Sequence, residues 1–357
     1  MNGMMKNLKK LTVIGVCAAM IAGSVLGCGS KNGNKTAEGG NGAKDSSQVN
    51  KYTCIGTPDA QISAALTIAD KLGYDLEEGV DLEVKFIPSG PDLASVVAGG
   101  GCDIAFASNY SVMTWLDSNL DMKIIAVNDN MGGTQAAAIR DDIVLNSPKD
   151  LEGLKLGLLP GSEVSVAFMR LCEEYDVDYD KIEKVAIQPA DQLSAFEKGD
   201  IDILSCWEPW ITYAEQNGGR FLLSGTKCAI PGVPEDVDWM NIFSTISTSS
   251  KMIEEHPDDL AKVLRAINKA TNYINDNRED AVKILSEEFD IDEASLENIM
   301  TRNIYEFAPT DLYKESQNWL YDYLIETGVI SRDMKFDDFD DFSILKETLP
   351  EQYQISE

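Results

Sequence analysis

Histidine is almost absent from this chain, since His256 is the only one among 357 residues. Ser-His-Asp and Cys-His catalytic sites need a histidine beside a nucleophile, and the surrounding Glu254-Glu255-His256-Pro257 offers none. The chain also lacks the GxSxG, GxGxxG and phosphate-loop patterns that mark large enzyme classes. We therefore expect a protein that is not an enzyme and needs no cofactor.

Metal-binding and disulfide patterns are missing as well. The seven cysteines include no CxxC pair, so the sequence predicts neither a zinc site nor a disulfide framework.

Basic residues are few: 30 Lys and Arg stand against 60 Asp and Glu, which gives a formal net charge of −30. Such a surface repels nucleic acid and anionic lipid, so both are excluded as partners of the body. The acidic stretch 333–341 is interpreted as a solvated face.

Long apolar runs are confined to the N-terminus. Lys6, Lys9 and Lys10 precede an apolar run that begins at Leu11 and ends in small residues, as in a secretory signal. The run closes on Val25-Leu26-Gly27-Cys28, which resembles a bacterial lipoprotein box cleaved before Cys28 and lipidated on its sulfur. We expect residues 1–27 to be a signal peptide and Cys28 to carry the lipid that anchors the protein to the membrane.

The next segment, 28–50, has almost nothing to bury, because Gly, Ser, Asn, Lys, Thr and Ala dominate it. Chains of this composition do not offset their ordering entropy, so a flexible tether is predicted. The expected location is the extracytoplasmic face of the cell membrane, or its periplasmic side where the host has an outer membrane. The N-terminal lipid is the only predicted membrane contact.

From Lys51 onward, short β-rich runs alternate with helical patterns, which is typical of an α/β architecture with mainly parallel sheets. The segment 92–104 is repeated as 191–203 at one ungapped offset, with the same order of helix, glycine turn and Asp-Ile strand start. Repetition in the same context predicts two related lobes. We expect lobe 1 to comprise 51–140 and 240–357, lobe 2 to comprise 141–239, and two crossover strands near Arg140 and Asn241 to join them.

Several motifs in this order resemble the nitrate/sulfonate/taurine (NMT1/THI5-like) family of ABC transporter substrate-binding proteins. They are Gly79-Val80-Asp81-Leu82-Glu83-Val84, Ser89-Gly90, Gly100-Gly101-Cys102-Asp103-Ile104-Ala105, Leu151-Glu152-Gly153-Leu154-Lys155-Leu156-Gly157 and Trp207-Glu208-Pro209-Trp210. The resemblance implies a type II periplasmic-binding-protein fold with two Rossmann-like lobes, a small-molecule ligand, and permease and ATPase partners. We expect the protein to act as a monomer.

In open α/β sheets, ligands bind beyond the carboxyl ends of the strands. Asn241, on the returning crossover, is a weaker candidate. The other candidate ligand-binding residues follow predicted strands: Thr57, Asp59, Gln61, Ser89, Gly90, Ser108, Asn109, Tyr110, Gly161, Ser162, Glu163, Gln188, Trp207 and Glu208. Many of these are also residue types that commonly cap helices or form turns.

The charges of the candidate residues narrow the ligand class. Asp59, Glu163 and Glu208 would repel a bare anion, and no arginine is evident beside them. A zwitterion of the taurine or aliphatic-sulfonate type fits better. Its anionic group would bind at helix N-termini, and its amine would lie against a carboxylate and the face of Trp207. A planar aminopyrimidine, or another nitrogenous small molecule, is the alternative. A sensing or adhesion lipoprotein without a transport role also stays open.

Overall fold

Ten strands form two five-stranded sheets in the part of the chain that the structure describes, residues 49–160 and 162–356 of a computed structural model. The predicted signal peptide, Cys28, nearly all of the predicted tether, and Gly161 lie outside these residues. The strands are β1 (Asn50–Gly56), β2 (Val80–Phe86), β3 (Ile104–Ser108), β4 (Lys123–Asn130), β5 (Gln135–Arg140), β6 (Lys155–Leu158), β7 (Glu183–Ala186), β8 (Ile203–Trp207), β9 (Gly219–Ser224) and β10 (Phe243–Thr248).

The helices alternate with the strands up to β10 and then follow one another. They are α1 (Ala64–Lys71), α2 (Tyr74–Glu78), α3 (Gly90–Ala98), α4 (Asn109–Asp117), α5 (Ser165–Glu174), α6 (Pro189–Lys198), α7 (Trp210–Gln216), α8 (Ser250–Glu255), α9 (Pro257–Asp276), α10 (Arg278–Phe289), α11 (Glu293–Thr301), α12 (Asp311–Glu326), α13 (Phe336–Phe339) and α14 (Ser343–Thr348). Among the described residues, no helix is both long and apolar enough to cross a bilayer.

The two sheets have the same topology. The first has the order β2-β1-β3-β10-β4 and the second β7-β6-β8-β5-β9. In each, four strands run in the same direction, and the fourth position holds an antiparallel strand that has crossed over from the other half of the chain: β10 in the first sheet and β5 in the second. This exchange is the pattern of a type II periplasmic-binding-protein fold, as the resemblance implied.

The repeat found in the sequence reappears as the same local structure in both sheets. The backbone N–H of Thr53 donates to the carboxylate of Asp103 at 2.8 Å, and the N–H of Lys155 donates to that of Asp202 at 2.9 Å. Each aspartate stands just before a central strand, β3 or β8, and accepts a hydrogen bond from the backbone of the neighbouring strand, β1 or β6. Helices α3 and α6 also coincide at the same offset, with Ser89 and Gln188 as their N-caps.

The strand β5 belongs to the second sheet, where it pairs with β8 and β9. The predicted boundary between residues 140 and 141 therefore falls after β5 and would separate this strand from its sheet. The physical reason is that the chain crosses between the sheets at 131–134, before β5 begins. Arg140 lies at the far end of β5, whereas Asn241 lies just before β10 at the second crossing. The division into lobes otherwise remains a prediction.

Glycines allow the two crossings to lie side by side. Gly225 donates its N–H to the carbonyl of Gly132 at 3.0 Å, so the backbones are in direct contact. A Cβ added to Gly132 would lie 2.6 Å from the carbonyl oxygen of Met240, which is shorter than real side chains allow. Only residues without a side chain permit this approach. The two crossings are therefore in direct backbone contact.

The later helices complete the first sheet's half of the molecule. The helix α9 buries an apolar stripe against α1 and α2, formed by Leu260, Val263, Leu264, Ile267, Ala270 and Ile274. Their spacing is that of one helix face, and each buried Leu, Val or Ile side chain contributes about 1.5–3 kcal/mol relative to exposure.

One residue of the acidic stretch 333–341 contradicts its interpretation as a solvated face. Asp340 is 7% exposed, and its carboxylate accepts a hydrogen bond of 2.7 Å from the hydroxyl of Tyr313. Burial raises the pKa of Asp340 to about 8, although the contacts from Tyr313 and Gln317 lower it. The reason for the difference is that Asp340 forms a backbone bridge with Ile124 beside β4, which draws its side chain inward.

Candidate functional site

A small cavity lies where loops from the two sheets meet. The first sheet contributes the loop after β1, the start of α3 and the end of β3, and the second contributes the start of β5, the turn after β6 and the end of β8. The lining residues are Thr57, Asp59, Gln61, Ile62, Gly90, Pro91, Leu93, Ala107, Ser108, Ser111, Met131, Gln135, Ser162, Glu163 and Trp207.

The cavity brings together eight of the residues proposed from the sequence: Thr57, Asp59, Gln61, Gly90, Ser108, Ser162, Glu163 and Trp207. All of them lie at or beyond the carboxyl ends of parallel strands, as expected for open α/β sheets. The polar lining residues that the sequence reasoning missed are Ser111 and Gln135. Ser111 stands one turn into α4, and Gln135 begins the antiparallel strand β5, whose membership of the second sheet no sequence signal indicated.

Asp59 lies in the loop after β1 and lines the cavity. One oxygen of its carboxylate accepts hydrogen bonds from the N–H groups of Gln61 and Ile62, at 3.0 Å and 2.9 Å. Burial raises the pKa of Asp59, although these bonds and the Thr57 hydroxyl lower it. The residue therefore acts both as a local turn former and as an acceptor beside the cavity.

Glu163 supplies the second carboxylate, from the turn before α5. Burial among the lining residues raises the pKa of Glu163, and the charge of Asp59 raises it further, while the Ser108 hydroxyl lowers it. The charge of Glu163 also acts on Tyr110, which is 4% exposed and whose pKa is raised mainly by burial. Two carboxylates that act on each other across so small a space favour a positively charged group between them.

A chain of hydrogen bonds joins the two sheets at the cavity wall. The side-chain amide of Gln61 donates to the backbone carbonyl of Glu208 at 2.9 Å, and the amide of Gln135 donates to the Oε1 of Gln61 at 3.0 Å. All three residues are at most 3% exposed. The Oε1 of Gln135 is buried and has no hydrogen-bond partner among the described residues.

The carboxylate of Glu208 does not line the cavity, contrary to the expectation that it would receive a ligand amine. Glu208 is completely buried, and its carboxylate accepts hydrogen bonds from Arg302 at 2.7 Å and from the N–H of Thr212 at 3.0 Å. Burial raises the pKa of Glu208, whereas the charge of Arg302 lowers it. Arg302 lies after α11, about ninety residues further along the chain, so no local pattern announced this partner.

Other proposed residues have structural contacts outside the cavity. Asn109 is fully buried and bonds to Gln317 and to the N–H of Phe243. Ser89 caps α3 and donates to Asp92 at 2.7 Å. Gln188 is exposed at the start of α6, although the equivalent residue Ser89 is buried at the start of α3. Asn241 bonds to Asn130 and Asp238 on another face of the molecule.

The N-termini of three helices, α3, α4 and α5, provide backbone N–H donors beside the cavity. Gly90 opens α3, and Ser108 caps α4 by accepting from the N–H of Ser111. The helix α5 begins just after Glu163 without a side-chain cap. Free N–H groups and the helix dipole at such ends favour a negatively charged group. The cavity can therefore accommodate an anionic end as well as a cationic one.

Among the described residues, no Lys, Arg or His lines the cavity. His256 is exposed and lies 3.5 Å from the hydroxyl of Tyr52, away from the cavity. Within the described ranges there is no group of three or more His, Cys, Asp or Glu that could hold a metal ion. The site is built from carboxylates, amides, hydroxyls and one indole, which suits reversible binding of a small polar molecule.

Comparison with known proteins agrees with this architecture. A Bacillus subtilis protein whose name assigns it the binding of aliphatic sulfonates is 25% identical over 322 residues, covering 88% of this chain and 92% of its own. The periplasmic aliphatic sulphonate binding protein SsuA from Escherichia coli has the same fold, with a TM-score of 0.68, 15% identity and coverage of 81% of this chain and 91% of that one.

The fold also occurs in an enzyme. The desulfurization enzyme DszB matches with a TM-score of 0.62 and 14% identity, covering 85% of this chain and 99% of that one. Fold similarity at this level of identity does not distinguish binding from catalysis. The family model described as NMT1/THI5-like matches residues 61–281, which is more than half of the sequence. This chain belongs to the NMT1/THI5-like family.

Proposed function

We propose that this protein is the extracytoplasmic substrate-binding component of an ABC importer and that it captures a small organic zwitterion of the taurine or aliphatic-sulfonate type. The observation that carries the proposal is the composition of the cavity: two carboxylates and helix N-termini line it from both sheets, and none of the described lining residues is basic. A zwitterion offers a partner to each kind of group.

The amine of such a ligand would lie near Asp59 and Glu163. Glu208 is already paired with Arg302, so we assign the binding of the ligand amine to Asp59 and Glu163 alone. Trp207 lines the same cavity, and an ammonium group over an indole ring gains additional electrostatic attraction. The sulfonate end would meet the N–H of Gly90 and the hydroxyls of Ser108 and Ser111.

The proposed mechanism is closure of two lobes about the crossings near Gly132 and Met240. Residues from both sheets line the cavity, so a ligand bound first to one sheet would be enclosed when the other approaches. The bond from Gln61 to the carbonyl of Glu208 joins residues of the two halves and would form in the closed state. The closed form would then be recognised by the permease, with an ATPase supplying the energy of transport.

The alternative ligand is an aminopyrimidine or another flat nitrogenous molecule. Trp207 offers a stacking surface, and Gln135 and Glu163 offer acceptors for an exocyclic amine. A flat ring would not need the helix N-termini, so removal of the ligand's anionic group separates the two proposals.

The N-terminal features support an anchored protein. The basic start, the apolar run and the box ending in Cys28 would lead to export and lipidation, and the segment 28–50 would tether the body. Permease and ATPase partners, a monomeric body and the absence of catalysis belong to the same proposal. Sensing or adhesion without transport is the competing role, and a neighbouring permease and ATPase in the genome would count against it.

A thermal-shift screen of the body from Lys51 tests the ligand class. Taurine, alkanesulfonates, nitrate and aminopyrimidines would be compared at saturating concentration, because a ligand that binds only the native state raises the melting temperature. We expect the largest shift with taurine. A shift with pyrimidines alone would promote the alternative, and equal shifts with nitrate and taurine would contradict the zwitterion proposal.

A further inference from the structure

The hydrogen-bond chain through Gln61 and Gln135 has a direction that the backbone fixes. The carbonyl of Glu208 can only accept, so the group of Gln61 that faces it must be the NH₂. The Oε1 of Gln61 then faces Gln135 and can only accept, so Gln135 must present its own NH₂ there. Neither amide can be turned around without placing two acceptors or two donors against each other.

The consequence is that Gln135 is left with an unpaired acceptor. Its Oε1 is buried, lacks a partner among the described residues and belongs to a side chain that lines the cavity. A buried acceptor without a partner is costly, so a ligand that donates a hydrogen bond there regains that cost on binding. Asp59 and Glu163 line the same cavity with carboxylates that also accept.

We infer that Gln135 is a specificity-determining residue that selects ligands carrying an N–H donor, such as an ammonium or amino group, over ligands of the same shape that end in a methyl group. This inference rests on the proposed function, since it assigns a chemical feature to the ligand of the proposed site. The backbone carbonyl of Glu208 sets the selectivity through Gln61, which is a positioning residue.

Gln61 and Gln135 lie in different halves of the molecule. The hydrogen bond that orients the Gln135 amide, and so fixes the position of its Oε1, therefore forms only when the two halves are together. In the closed arrangement Gln61 bonds to both Gln135 and the Glu208 carbonyl, which belong to the second sheet's half. An amine donor at Gln135 would therefore favour closure as well as binding. A methyl group at the same place would leave the acceptor unpaired in the closed state.

The test uses two ligand pairs that differ only in an amine or a methyl group, measured by isothermal titration on the full chain in detergent. The pairs are taurine with propane-1-sulfonate, and 4-amino-2-methylpyrimidine with 2,4-dimethylpyrimidine. The variant is Gln135→Met, which keeps the length of the side chain and removes the acceptor. The matched control is Gln192→Met, because Gln192 is equally buried, donates to the carbonyl of Ile187 and lies outside the cavity lining.

We expect the amine member of at least one pair to bind roughly 100-fold more tightly than its methyl partner, and Gln135→Met to reduce this ratio about 10-fold. The control should leave the ratio unchanged. Equal binding within a pair, or a ratio that Gln135→Met does not alter, would overturn the inference while leaving the importer proposal intact. An amine preference among the pyrimidines alone would support the inference and replace the sulfonate class. No binding of any member would overturn the inference and both proposed ligand classes.

Discussion

The guanidinium of Arg302 lies 2.7 Å from the carboxylate of Glu208, whose side chain is completely buried. The same guanidinium reaches Glu215 on α7 at 2.9 Å. Glu208 and Glu215 belong to the second sheet's half, whereas Arg302 follows α11 in the C-terminal helices. This ion pair therefore joins the two halves immediately behind the wall of the proposed site.

Replacing Arg302 by methionine should destabilise the protein, because it leaves the buried carboxylate of Glu208 without its counter-charge. Removal of one partner from a buried pair typically costs about 3–5 kcal/mol, and the partial exposure of Arg302 places the expected loss near the lower end. Urea unfolding would measure it. Lys251→Met is the control, since its pair with Glu255 is exposed and contributes about 0–1 kcal/mol. Equal losses in the two variants would refute a structural role for the buried pair.

Trp207→Ala should weaken ligand binding without a comparable loss of stability. Trp207 lines the cavity, and a desolvated contact between a cation and an indole is worth about 2 kcal/mol, or roughly 30-fold in affinity. Trp210→Ala is the matched control, because Trp210 is similarly half-buried but packs against Tyr213 outside the cavity. Titration calorimetry with the ligand found in the screen would compare them. If both variants bind as the parent does, the ligand lies elsewhere.

Affinity for an ammonium-bearing ligand should fall as the pH is lowered. The pKa of Glu163 is raised by burial and by Asp59, so it gains a proton at a higher pH than an ordinary glutamate. Protonation removes the charge that attracts the ammonium, while a sulfonate and an ammonium keep their charges over this range. Calorimetry from pH 7 to pH 5 should show the loss in the parent, and a weaker, flatter profile in Glu163→Gln. Parallel profiles would exclude Glu163 as the titrating group.

Asp340 should make the protein less stable as the pH rises. Its pKa of about 8 lies above the unfolded value of 3.8, so between these values the native state holds a proton that the unfolded state has lost. Stability from this group is fully present below the unfolded pKa and decreases by about 1.4 kcal/mol per unit toward the folded pKa. In Asp340→Asn this contribution disappears. Denaturation at pH 5, 6 and 7 should therefore show a steeper fall in the parent than in the variant, and identical slopes would contradict the assignment.

Cys28→Ala should release the exported protein from the membrane. The proposed lipid is attached to the Cys28 sulfur, and no other part of the chain is predicted to bind the bilayer. Fractionation of cells that express the parent and the variant would place the parent in the membrane pellet and the variant in the soluble extracytoplasmic fraction. Cys54→Ala is a suitable control, since Cys54 is buried in β1. A variant that still pellets after residues 1–27 have been cleaved off would show that the anchor is not the Cys28 lipid.

The sequence by itself determined the local chemistry of this protein. The repeat at offset 99 predicted two equivalent strand starts, and Asp103 and Asp202 indeed make the same bond in the two sheets. The rule that ligands bind beyond strand ends led to Asp59, Ser108, Glu163 and Trp207, because short loops after parallel strands converge at one edge of a sheet. These are properties of nearby residues, and a sequence records them directly.

Only the tertiary structure decided which of those residues face the cavity and which are paired elsewhere. Glu208 stood in the sharpest local motif, yet Arg302 neutralises it from a distant helix end. Gln135 gave no signal, yet the crossing of β5 into the second sheet places it against Gln61 and fixes the direction of its amide. Asp340 lay in an acidic run, yet its contact with β4 buries it. In each case the deciding partner is far away along the chain, and only the packing of the two sheets and the C-terminal helices brings it close.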